Sequence, residues 1–283
     1  MENVADNSSL PDYQSPPVVE TILGVQFNRL SGFTNAHLGA FWKTLDLREW
    51  PATADAPPLQ LHFERFSESA KWAKVDEAIT LTPDVMSRLQ IKNRDADRLM
   101  QLQNGRLHFN WLGGSEGRYP RYQSVRDGFS EALQQFGEFV KSEQLGEIEP
   151  NQWEVTYLNN IQKGDLWNAP SDWNFFSPLA RMPSIEGVSR AESFSGGWHF
   201  TIPEKRGRLH IEWKHAIRPA SEVQEVIVLA FTARGPILAG ENRSKFKGIL
   251  DGLDLGRETI VRTFAALMSD EANQHWGLEH GDD

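Results

Sequence analysis

The chain has 283 residues, no cysteine, and 39 acidic against 29 basic side chains, for a formal charge of −10. Without cysteine there are no disulfides, thiolate metal centres or cysteine nucleophiles, and the acidic balance argues against general nucleic-acid binding, which rests on neutralising phosphates. No window approaches the ~18 apolar residues of a membrane span, and the opening MENVADNSSLPDYQ lacks the positive start and apolar run of a signal peptide, so a cytoplasmic protein with no membrane partner is expected.

Residues 1–15 are polar and acidic and read as a disordered lead-in. Pro16-Pro17 then opens a long strand in which Val19, Thr21, Leu23, Val25 and Phe27 face one way and Glu20, Ile22 and Gln26 the other. Thr34 or Asn35 can cap a helix running to about Leu45, and the proline-rich stretch 51–58 reads as a connector. Alternation suggests strands at 59–66, 78–81 and 98–103, the last leading through Asn104-Gly105, a hairpin turn signal. The best-specified stretch follows. Leu107, Phe109 and Trp111 alternate with His108 and Asn110, Gly113-Gly114 ends the strand, and Tyr119-Pro120 sets an extended entry into a helix over 121–143. That helix carries the stripe Tyr122, Val125, Phe129, Leu133, Phe136 and Val140.

Gly146 is placed to cap that helix, and Trp153, Val155, Tyr157 and Ile161 resume a strand. Residues 162–193 hold Trp167, Trp173, Phe175 and Phe176 among polar residues with no clear period; so long a connection is either functional or carries short helices. A hairpin over 198–202 and 208–213, a strand at 222–233 apolar on both faces, and a helix over 249–268 complete the pattern. The expected fold is α+β: a first half at 16–148 and a second at 149–283, packed together, each an antiparallel sheet covered by one long helix. GRLHFNW at 105–111 recurs as GRLHIEW at 207–213. That echo is either the trace of an internal duplication or the mark of any good alternating strand.

Five blocks in order, PPVVETILGVQF, LQNGRLHFNW, RYPRYQSVRDGF, WEVTYLNNI and a final helix reaching Trp276-Gly277, resemble a sporadically distributed bacterial family of uncharacterised proteins over nearly the whole chain. The resemblance implies no activity and no catalytic residues. Its sporadic distribution implies mobile genes such as those of phage defence or toxin–antitoxin control.

Chemistry-bearing motifs are absent. There is no HExxH, no close histidine pair, no GxSxG and no phosphate loop, so neither a metal site nor a cofactor is expected. Glu20 and Glu154 each interrupt an apolar strand; they could do acid–base work as a pair, or be buried and partnered. Asn110, Tyr119, Tyr122, Tyr157 and Asn159, with Trp167, Trp173 and Phe176 of the connector, form the polar-aromatic set most suggestive of binding. The same residues could instead lock helix to sheet. The expectation is a non-enzymatic protein recognising a protein partner or a small ligand, with homo-oligomerisation open. The opposing reading is an enzyme acting on nucleic acid or nucleotide.

Overall fold

A computed structural model describes residues 10–66, 87–113, 119–180, 191–218, 224–237 and 245–279. Its elements are β1 (Asp12–Tyr13), β2 (Val18–Phe27), α1 (Asn35–Thr44), β3 (Ala52–Ala56), β4 (Arg88–Lys92), β5 (Arg98–Gln103), β6 (Arg106–Leu112), α2 (Arg121–Ser142), β7 (Pro150–Gln162), β8 (Ser195–Ile202), β9 (Gly207–Arg218), β10 (Gln224–Pro236), α3 (Lys245–Leu267), α4 (Asp270–His275) and β11 (Leu278–Glu279).

Nine strands make one antiparallel sheet in the order β3-β4-β5-β6-β2-β7-β10-β9-β8. The expected halves therefore share a single sheet, joined where β2 pairs with β7 and Leu23 lies opposite Val155. The two GRLH segments fall on β6 and β9. The first lies next to the central pair and the second is one strand further out, so the echo does not mark equivalent places in the two halves.

Alternation sorts the side chains of each strand. Leu23 on β2, Phe109 on β6, Val155 on β7 and Phe231 on β10 share the face that receives the helices, and each is buried. Helix α2 lays Val125, Phe129 and Phe136 on that face, and α3 lays Ile249, Leu253 and Ile260 there. Close approach of α3 depends on Gly252 and Gly256, where an added Cβ would meet the Trp153 ring at 2.2 and 2.8 Å. Fully burying a large side chain such as Trp153 stabilises the fold by roughly 2–3 kcal/mol.

Several expectations are corrected. Residues 12–13 pair with 278–279 and Tyr13 is buried, so this part of the supposed lead-in is ordered. The proline-rich stretch contains β3, an exposed edge strand pairing only with β4. Residues 59–66 join no ladder. The strand expected at 78–81 lies outside the described residues, and β4 and α4 were not foreseen. No helix among the described residues is long and apolar enough to cross a membrane.

Candidate functional site

The sequence-chosen residues separate into three places. Tyr119, Tyr122, Tyr157 and Asn159 come together in a pocket of about 310 Å³ on the helix side of the sheet, between the start of α2, the middle of α3 and residues 11–18. Asn110 projects from the other face of the sheet. Trp167, Trp173 and Phe176 are each 1% exposed or less, so these three side chains of the connector belong to the core and not to an exposed docking edge. Phe176 stacks on Trp198 at 5.7 Å, Trp173 stacks on Phe175 at 5.6 Å, and the Trp167 indole N–H donates to the Ile161 carbonyl at 3.0 Å.

The pocket is built by strand and helix ends. Pro120 stands at the N-cap of α2, and Arg121 begins the helix with φ of 70°. That left-handed backbone costs on the order of 1–3 kcal/mol for a non-glycine residue. Arg121 then donates to Asp12 Oδ1 at 2.5 Å and to the Tyr13 carbonyl at 3.0 Å. The Tyr119 and Tyr157 hydroxyls share a hydrogen bond at 3.1 Å, while Tyr13 donates to Asn273 Oδ1 at 2.7 Å. On the α3 side, Tyr122 donates to Asp254 at 2.8 Å, and Arg126 grips the same carboxylate through Nε and Nη2 at 2.8 and 2.9 Å. Asn159 faces inward and donates to the Leu229 carbonyl at 3.2 Å.

Burial pushes the phenols of Tyr13, Tyr119, Tyr122 and Tyr157 upward, so all four stay neutral hydrogen-bonding groups at physiological pH. One cation remains. Arg257 lies 4.9 Å over the Tyr122 ring and, among the described residues, forms no ion pair. A pocket with apolar rings on its walls and one uncommitted guanidinium suits a small ligand with an apolar body and an anionic group.

The other face of the sheet is polar and yet closed. Gln101, Gln103, Arg106, His108, Asn110 and Gln152 are all buried there. Glu20 accepts from Asn110 at 2.5 Å, and burial raises its carboxyl above the ordinary value although that hydrogen bond opposes the shift. Burial would also raise Glu154, but the charges of His108, Arg106 and Arg234 hold it below its ordinary value. His108, itself pushed down to about 4 by burial, is neutral at pH 7, which leaves the two arginines as the cations.

Glu20 stands opposite Leu158 and Glu154 opposite Gly24, four residues along the paired strands. That is about 13 Å of strand. The two carboxylates thus share a face but form no acid–base pair. Among the described residues no group of three or more His, Asp or Glu side chains is placed to hold a metal ion.

No protein-family model matches this chain, and no curated protein matches it.

Sequence reading did not single out Tyr13, Arg121 or Arg257, nor the carboxylate of Glu64 with its partners Arg208, His210 and Arg234. The first three belong to segments that meet only in the fold, since residues 12, 121 and 257 are far apart in the chain. A usable signal existed for the polar face: Gln26, Arg106 and Gln152 occupy one side of three strands whose other side is apolar.

Proposed function

We propose that this protein binds a small organic anion, and that the tyrosine-lined pocket holds it. The observation that carries the reading is Arg257, a cation without a carboxylate partner among the described residues, at the wall of a pocket lined also by Tyr13, Tyr119, Tyr122, Tyr157 and Phe264, in which the Asp12 carboxylate is already paired with Arg121. The ligand's charged group would meet the guanidinium, and its apolar body would lie against Tyr13, Tyr157 and Phe264. The family resemblance extends this reading to a regulatory or neutralising component of a phage-defence or toxin–antitoxin locus in the cytoplasm, responding to that ligand.

The enzymatic alternative, acting on nucleic acid or nucleotide, would require Glu20 and Glu154 to work on one substrate across about 13 Å of strand. Binding needs no such span.

A panel of aromatic carboxylates, aliphatic carboxylates and nucleotides, tested by thermal shift, examines the proposal. At ligand a hundredfold above Kd the linkage gain is ~2.7 kcal/mol, which is a readily measured rise in Tm. An anion with an apolar body should raise the Tm of the wild type and fail to raise that of Arg257→Ala. Stabilisation of both proteins equally, or by no anion in the panel, would remove the pocket from consideration.

A further inference from the structure

We propose that the polar face of the sheet is a docking groove for a peptide segment anchored by one glutamate, closed in this structure by the chain's own residues 59–64. This inference is independent of the tyrosine pocket, which lies on the other side of the sheet.

Residues 59–64 cross the sheet near one end, over β5, β2, β7, β10 and β9, and are held as a bound peptide would be. Gln103 accepts from the Leu59 N–H and donates to the Leu59 carbonyl, both at 2.8 Å. Gln26 accepts from the His62 N–H at 3.1 Å. Gln152 donates to the His62 carbonyl at 2.8 Å and accepts from the Glu64 N–H at 3.0 Å. These side-chain amides stand in for the neighbouring strand of an ordinary ladder, reading main-chain donors and acceptors rather than side chains. A nucleic acid offers no alternating N–H and C=O groups, so the cradle favours a peptide.

Specificity comes from two further features. Leu61 lies over Gly105, within 3.3 Å of where a Cβ would stand, so a larger residue at 105 would fill the space it uses. Glu64 is the acidic anchor. Its side chain is 4% exposed and accepts from Arg234 Nε at 2.6 Å, from His210 Nε2 at 2.7 Å and from Arg208. Arg208 and Arg234 keep about a fifth of their side-chain surface exposed, and withdrawal of Glu64 would uncover the surface it now covers. Two guanidiniums and an imidazole then present a cup for a carboxylate on an incoming chain.

The tethered segment competes at an effective concentration on the order of millimolar. A partner peptide must therefore find the segment displaced. Glu64→Lys supplies that state, because it sets a cation between Arg208 and Arg234.

The experiment mixes full-length Glu64→Lys protein with a labelled peptide of the sequence of residues 58–66. By fluorescence anisotropy the variant should bind that peptide at micromolar concentration, and a peptide with its glutamate changed to glutamine about tenfold more weakly. The wild type should bind neither peptide at that concentration. The proposal is overturned if a folded variant captures neither peptide, captures both equally, retains a single-stranded oligonucleotide in their place, or binds no better than the wild type. Should the variant not fold, amide exchange in the wild type decides: the N–H groups of Leu59, His62 and Glu64 should exchange through a local opening at least about tenfold more frequent than that of Val155 in β7. Equal protection of the two sets would make the segment part of the core and overturn the groove.

Discussion

The His108 ring lies on Gly24 of the neighbouring strand, where a Cβ would come within 2.5 Å of its Cδ2. Burial of this imidazole without charge ties stability to pH. Its folded-state pKa of about 4 lies below the unfolded value of ~6.5. Because the value is depressed, the contribution is fully present above pH ~6.5 and is lost as the pH falls through 4, amounting to roughly 3 kcal/mol over that window. Urea unfolding from pH 8 to pH 4 should show the loss in the wild type and a flatter profile in His108→Gln. Parallel profiles would mean that His108 is solvated. Glu64 acts lower on the scale: burial opposes its charge, but His210 and Arg234 hold its carboxyl at about 2, so its share disappears only between pH ~4.5 and pH 2.

Among the elements, glycines Gly137 and Gly252 of the two long helices stand in opposite settings. A Cβ added at Gly137 of α2 would have nothing within 4 Å, whereas Gly252 of α3 sits against the Trp153 indole. Gly137→Ala should therefore stabilise the protein by up to ~1 kcal/mol through helix propensity. Gly252→Ala should destabilise it by ~1–3 kcal/mol, because helix and indole must move apart. Denaturation midpoints check both, and a loss of stability from each would mean that crowding is not what separates them.

The same elements show what the sequence could reveal. Helix α2 and strands β2 and β6 were legible because one face of each meets a continuous core, so their apolar residues keep a clean period. Strand β3, ATADA, was hidden because an exposed edge strand of small residues buries nothing that needs a pattern. Residues 59–66 alternate like a strand, yet their partners are glutamine side chains, a pairing no periodicity can encode. Tyr122, Tyr157 and Asn159 were found as candidate binding residues by chemical type. Asn110, chosen by the same criterion, was separated from them only by the parity of its strand position.

At the scale of the whole molecule, β2 and β7 are each paired on both sides and form the middle of the sheet. Cutting the chain between them would expose a ten-residue strand whose inner side chains are buried in the intact protein. Residues 10–148 expressed alone should therefore aggregate or pair through the freed edge of β2. Size-exclusion chromatography with circular dichroism reads this directly, and a folded monomeric half would show that the shared sheet is not required for folding.

The tyrosine pocket draws its walls from residues 11–18, 119–123, 157–159 and 257–264. Loop closures of such length are among the slowest steps in assembling a domain, and synthesis proceeds from the N-terminus at a finite pace. A chain still emerging from the ribosome without α3 has three sides of the pocket and no Arg257. Ligand capture would thus be a property of the finished polypeptide alone, and a truncated product would be silent in any response that depends on it.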